Sequence, residues 1–186
     1  KYVLSHKVKE LAETTSLIDS NDFAAVVNLL HNASLVLVAG VGNTINMGAN
    51  AAFKLSQVGV RAFCPSSTEA MASAATNLTE NDVLLVISTS GYSKRLVNIF
   101  DSAEDSNTPI VMITDNPDTP LAKRATHIIR AVSRDQAITG SEIYFSHNSI
   151  NYILELLFLF LVSCWDDPIE LNRIVSKNLM GDRRYN

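Results

Sequence analysis

The sequence predicts an α/β protein, a three-layer α-β-α sandwich around a five-stranded parallel sheet with extra flanking helices. Three observations predict it. Five short apolar runs follow one another without polar alternation, as in strands buried on both faces. Helix-period segments separate them, which gives repeated β-α units and therefore parallel strands. Two loops rich in glycine and small hydroxyls follow the first and third runs. In the strand order 2-1-3-4-5 those two strands are neighbours, and ligands bind in the crevice at their carboxyl ends.

Each element has its own justification. The chain opens on "KYVLSHKVKE", polar and charged, with no signal-peptide pattern. It begins at Lys1 rather than methionine, so a segment missing upstream is the expectation. Asp22 to His31 reads as a helix leading into the first strand, "SLVLVAG" (Ser34–Gly40). The next helix, Ile45 to Val58, carries Ala51, Ala52, Leu55 and Val58 on one side and stops at Gly59. "VRAF" (Val60–Phe63) is the second strand, and Ser67 to Asn77 is an Ala-rich helix. "DVLLVIS" (Asp82–Ser88) is the third strand. It is followed by a helix from Ser93 to Ser106, with Leu96, Val97 and Phe100 as its buried stripe. "PIVMIT" (Pro109–Thr114), a short helix over Thr119 to Thr126, and "HIIRA" (His127–Ala131) complete the sheet. Gly140 to Trp165 reads as one long helix, Pro168 to Leu179 as another, and "GDRRYN" as a frayed tail.

Within the long helix, Ile150 to Val162 is apolar nearly all round, so it needs cover on more than one side. A partner subunit is the expected second cover, giving a homodimer or higher homo-oligomer. The alternative is cover by the terminal helices of the same chain.

Bulk properties narrow the function classes. A chain of 186 residues suits one domain with appended helices. Its 47% apolar and 18% charged content excludes a disordered chain. A net charge of -4 offers nothing global to attract nucleic acid. Cys64 and Cys164 lie too far apart in sequence for a metal motif or a disulfide framework, so a reducing cytoplasm is the expected compartment and no metal is expected. The longest apolar run, Leu156 to Val162, is far short of the ~20 residues that span a bilayer, so no membrane role is expected.

The two loops carry the chemistry. In "STSGYS", Ser88, Thr89, Ser90 and Ser93 surround Gly91, which permits a tight turn. Small hydroxyls donate to phosphate oxygens, and the N–H groups opening the next helix attract the same anion. Lys94 adds a positive charge. The competing explanation is a capping loop that binds nothing, for which Ser90 or Ser93 alone would serve. "GVGNT" is G-x-G without the third glycine, since Ile45 stands there, and no acidic residue ends the second strand. Neither a dinucleotide fingerprint nor a nucleotide P-loop is present, and no cofactor is expected. Gly42, Asn43 and Thr44 instead offer a turn and short polar side chains to a small hydroxylated ligand; the alternative is a plain strand-to-helix turn with a Thr cap.

At these loops the sequence resembles a SIS (sugar isomerase) domain. That family pairs a G-x-G-x-S-like loop with an S-x-S-G-x-[ST] loop, here "GVGNT" and "STSGYS". The resemblance covers about Asp22 to Cys164. It implies a sheet of flavodoxin-like order, a phosphosugar ligand and a tendency to dimerise. It makes Ser88, Ser90 and Ser93 phosphate-binding hydroxyls and places Asn43 and Thr44 at the sugar end. "STSGYSKRLVN" further resembles the sugar-phosphate-sensing half of RpiR-type transcription regulators, which carry an N-terminal helix-turn-helix domain. The implied layout is a linker helix at 1–20, a phosphosugar-binding SIS domain at 21–180 and a tail at 181–186. Contact with DNA would run only through the missing N-terminal domain. Two departures, Asn43-Thr44 for the usual small-Ser pair and Tyr92 where a charge is common, bear on which sugar is taken.

The rival is a stand-alone aldose–ketose isomerase, which needs a base and an acid. Glu142 and His147 are its candidates, although five residues apart on a helix they would not share a face. Glu155, within the apolar stretch, would need a partner if buried. For all three the alternative is a helix-surface or interface role. The sequence-based expectation is a non-catalytic phosphosugar sensor in carbohydrate regulation, with the isomerase second and a dimerisation domain with a vestigial pocket third.

Overall fold

The computed structural model describes residues 1–141 and 144–164. The elements run α1 (Tyr2–Ser16), α2 (Ser20–Asn32), β1 (Val36–Gly40), α3 (Thr44–Gln57), β2 (Ala62–Phe63), α4 (Thr68–Ala75) and β3 (Val83–Ile87). Then come α5 (Lys94–Asp105), β4 (Ile110–Thr114), β5 (His127–Arg130), α6 (Asp135–Thr139) and α7 (Asn148–Ser163). The five strands form one sheet in the order β2-β1-β3-β4-β5, and every pair is parallel. The parallel sense is the one the apolar runs predict, and the order is the one the family resemblance implies.

Every residue of β1, β3 and β4 is buried, which explains the missing polar alternation. Successive strand side chains feed opposite layers. Val36, Val38, Leu85, Ile87, Val111 and Ile113 pack with α2, α3 and α7. Leu37, Ala39, Leu84, Val86, Ile110 and Met112 pack with α4 and α5. The edge strand β2 pairs only Ala62 and Phe63, opposite Val36 and Leu37.

Two expected helices come out shorter. Thr119 to Thr126 contains a single 3-10 turn, Ala122–Arg124. The long helix from Gly140 does not form as one piece. Gly140 takes a left-handed conformation (φ 66°) and terminates α6, and the next helix begins only at Asn148. The tail at 181–186, the helix expected over Pro168 to Leu179, and Trp165 lie outside the described residues. No helix among the described residues is long and apolar enough to cross a membrane.

Helix α7 buries Ile150, Ile153, Leu154, Leu157 and Leu161. It packs against α1, α2 and α3 as well as the sheet, so same-chain helices supply part of the second cover. Leu159 and Phe160 stay more than half exposed.

Candidate functional site

Strands β1 and β3 lie side by side with Gly40 opposite Ile87, so the loops that follow them meet at the carboxyl end of the sheet. The β3–α5 loop is pinned against the loop after β4. Ser88 N donates to Ile113 O and Asp115 N to Thr89 O, at 3.0 and 3.1 Å. Thr119 Oγ1 donates to Gly91 O at 2.6 Å. Gly91 has φ +70°, and a Cβ there would lie 2.3 Å from the Asn116 carbonyl oxygen. Only glycine fits such a position.

The hydroxyls of this loop divide by role. Ser93 caps α5 by accepting from Arg95 N at 3.3 Å. Ser90 Oγ donates to Tyr92 O at 2.9 Å and holds the turn. Ser88 and Thr89 are both buried. Thr89 Oγ1 has no hydrogen-bond partner among the described residues. The capping explanation therefore accounts for Ser93 and Ser90 and leaves Thr89 unexplained, because a buried hydroxyl without a partner is costly.

The β1–α3 loop is similarly organised. Thr44 Oγ1 donates to Val41 O at 3.1 Å and accepts from Val41 N at 2.9 Å, closing the turn from inside. Gly40 permits this, since a Cβ there would come 2.8 Å from Thr44 O. Gly42 turns the chain at φ +64°. Thr44 is thus spent within its own loop, while exposed Asn43 is the predicted sugar residue that lines the cavity.

That cavity has a volume of about 270 Å³. Asn43, Ser88, Thr89, Ser90 and Ser93 form one side, and Tyr144 and His147 form another. Six of the predicted residues, His147 among them, therefore meet around one hollow beside the α5 N-terminus, whose free N–H groups favour an anion. Lys94 is exposed and does not line it. His147 lines it and brings a buried Nδ1 with no partner among the described residues. Glu142 lies outside the described residues. Glu155 is 63% exposed and faces Lys54 at 3.8 Å, so it is not the buried carboxylate considered from sequence. Tyr144 was not legible as a site residue. Reading Gly140 onward as continuous helix hid the irregular stretch that brings it to the cavity.

A second hollow, about 340 Å³, opens beyond β4 and β5 and holds Asp115, Arg130 and Arg134. Burial raises the Asp115 carboxyl above its ordinary range, against the pull of the Ser133 N–H and Arg130.

Comparison with known proteins bears on the family and the fold. The family model of the SIS domain matches residues 29–161. The structure is similar to that of the Vibrio vulnificus NanR protein complexed with ManNAc-6P. The two are 23% identical with a TM-score of 0.82, and the match covers 94% of this chain and 65% of that one. The chain thus spans under two-thirds of NanR's length. It is also similar to the sugar isomerase domain of an RpiR transcription factor from Sphaerobacter thermophilus, at 19% identity and TM-score 0.83, covering 95% and 96%. A third similar structure is MJ1247 from Methanococcus jannaschii, for which a function of 3-hexulose-6-phosphate isomerase has been inferred. It is 16% identical, with TM-score 0.72 and coverage of 93% and 97%. At such identities the likeness is one of fold.

Proposed function

This chain belongs to the SIS domain family, and on that premise we propose that it is the phosphosugar-binding sensor domain of a transcriptional regulator of carbohydrate metabolism. The observation that carries the reading is the buried Thr89 hydroxyl, unpaired among the described residues, beside the α5 N-terminus in a cavity lined by hydroxyls. A phosphate supplies acceptors for that hydroxyl and for the helix N–H groups together. Ser88 stands beside it at the phosphate end, Ser90 and Ser93 hold the loop that carries both, and Asn43 faces the sugar. Similarity to NanR, a protein seen with ManNAc-6P, and to an RpiR transcription factor favours a sensor. In this reading α1 leads to a DNA-binding domain upstream, the domain acts as a homodimer in the cytoplasm, and the sugar itself is not turned over.

One observation favours a second reading, a sugar-phosphate isomerase. The imidazole of His147 lies at the cavity with an Nδ1 unpaired among the described residues, a group able to move a proton between neighbouring carbons. Calorimetry with a panel of phosphosugars and their dephosphorylated counterparts separates the possibilities, with product analysis on every compound that binds. The sensor reading expects binding that requires the phosphate and leaves the sugar unchanged. Isomerised product would put the second reading first, and equal affinity for the dephosphorylated sugar would sink both.

A further inference from the structure

Among the described residues between Val132 and His147 there is one short helix, α6, and no strand, so the backbone N–H groups outside it need acceptors from elsewhere. Helix α1 supplies two of them. Thr14 Oγ1 accepts from Val132 N at 3.1 Å, and Glu10 Oε2 accepts from Arg134 N at 2.8 Å. Both side chains are buried. Further along, Asp135 Oδ2 accepts from Phe145 N at 3.0 Å and from Ser146 N at 2.9 Å. The other oxygen, Asp135 Oδ1, accepts from Lys7 Nζ at 2.8 Å. The same ammonium reaches Glu10 Oε2 at 2.9 Å. One lysine of α1 therefore serves two buried carboxylates. One of these grips the backbone just before His147, and Gln136 Nε2 holds Tyr144 Oη at 3.4 Å. Tyr144 and His147 are the far wall of the anion cavity.

The geometry points to Lys7 and Asp135 as positioning residues that couple the seating of α1 to the shape of the cavity. This inference rests on the anion-binding reading of that cavity. Asp135 is fully buried, and a buried carboxylate deprived of its cation is strongly disfavoured. The guanidinium of the preceding residue, Arg134, pairs with Glu13 instead. If α1 lifts, Asp135 must take up a proton or swing toward water. Either change loosens its hold on Phe145 N and Ser146 N and frees the wall. By linkage, a ligand that holds the wall in place favours the docked α1 to the same extent. Tyr2 Oη, bonded to Ala137 O at 3.1 Å, ties the first turn of α1 to the same segment.

The test uses the full chain and two readouts. Hydrogen exchange follows the Phe145 and Ser146 amides, and calorimetry follows affinity for ManNAc-6P and inorganic phosphate. In Lys7→Met those two amides should exchange faster by a larger factor than the β3 and β4 amides do. Affinity should fall by roughly 5–150-fold, the usual scale of such coupling. Lys7→Arg should recover most of both, and Lys54→Met, in an exposed pair, should change neither. Lys7→Gln, which keeps a donor without the charge, is the milder variant if Lys7→Met unfolds. Unchanged exchange at Phe145 and Ser146 overturns the tie. Faster exchange with unchanged affinity overturns the coupling. A parent chain that binds neither probe overturns the cavity's anion-binding reading, while the exchange measurement still decides the tie.

Discussion

At the scale of single residues, Thr89 separates function from stability. Its Oγ1 is buried and has no partner among the described residues, while its backbone oxygen already accepts from Asp115 N. Thr89→Val keeps the shape and removes the hydroxyl. Leaving a hydroxyl unsatisfied costs about 1–3 kcal/mol, so its removal should not destabilise the fold. The melting temperature should hold or rise by about 2–4 °C per kcal/mol recovered. A hydrogen bond to a charged group is worth about 1.5–3 kcal/mol, so phosphosugar affinity should fall about tenfold or more. Calorimetry and thermal melts check both, and lost stability with retained affinity would refute the assignment. The sequence pointed to this loop but not to the division of labour within it. Four hydroxyls of like type stand side by side, and which are spent on Tyr92 O and Arg95 N is decided by backbone geometry. Thr44 shows the same limit, since its hydroxyl closes a turn that composition alone does not reveal.

At the scale of elements, strands were more legible than the end of the sheet. Continuous apolar runs in β1, β3 and β4 follow directly from burial on both faces. The break between α6 and α7 was not legible. Helix-compatible residues fill both sides of it, and a single left-handed glycine with distant acceptors on α1 sets its course. Those acceptors predict a pH dependence. Burial alone would raise Asp135, but Lys7 and the N–H groups of Ser146 and Phe145 outweigh it and hold the carboxyl below its ordinary value. Burial likewise opposes the charge on Lys7, but hydrogen bonds to Asp135 and Glu10 raise it above its ordinary value. A depressed carboxylate contributes stability above its unfolded pKa of about 3.9 and loses it as pH falls through the folded value. A raised lysine contributes below about 10.4 and loses it as pH rises through the folded value. The stability difference between parent and Lys7→Met is about 3 kcal/mol at neutral pH for breaking a buried pair. It should shrink as pH falls, because Asp135 without its cation takes up a proton at a higher pH than in the parent. Urea denaturation of both proteins at several pH values measures it. Asp115, raised rather than lowered, acts in the opposite sense but is common to both proteins and cancels from the difference. A difference that grows in acid would contradict the argument.

At the scale of the molecule, the outer surface of α7 is where the proposed dimer can be tested. The all-round apolar pattern of Ile150 to Val162 predicts two covers, and the structure supplies the sheet on one side with α1, α2 and α3 around it. What stays outward is specific. Leu159 is 60% and Phe160 52% exposed, whereas Leu157, on the inner face, is 1% exposed. These positions make distinct predictions under the proposed dimer. Leu157→Glu places a charge in the core and should unfold the chain whatever its assembly, since an unpaired buried charge is among the costliest changes. Leu159→Glu adds a charge that an isolated chain tolerates at little cost, because surface changes usually stay within about 0.5 kcal/mol. If α7 faces a second copy, Leu159→Glu should convert dimer to folded monomer, with the circular dichroism and melting of the monomer intact. Light scattering at tens of micromolar reads the mass directly. A parent chain that is already monomeric there would end the dimer proposal. A dimer that survives Leu159→Glu would move the interface off this face of α7 and onto another surface.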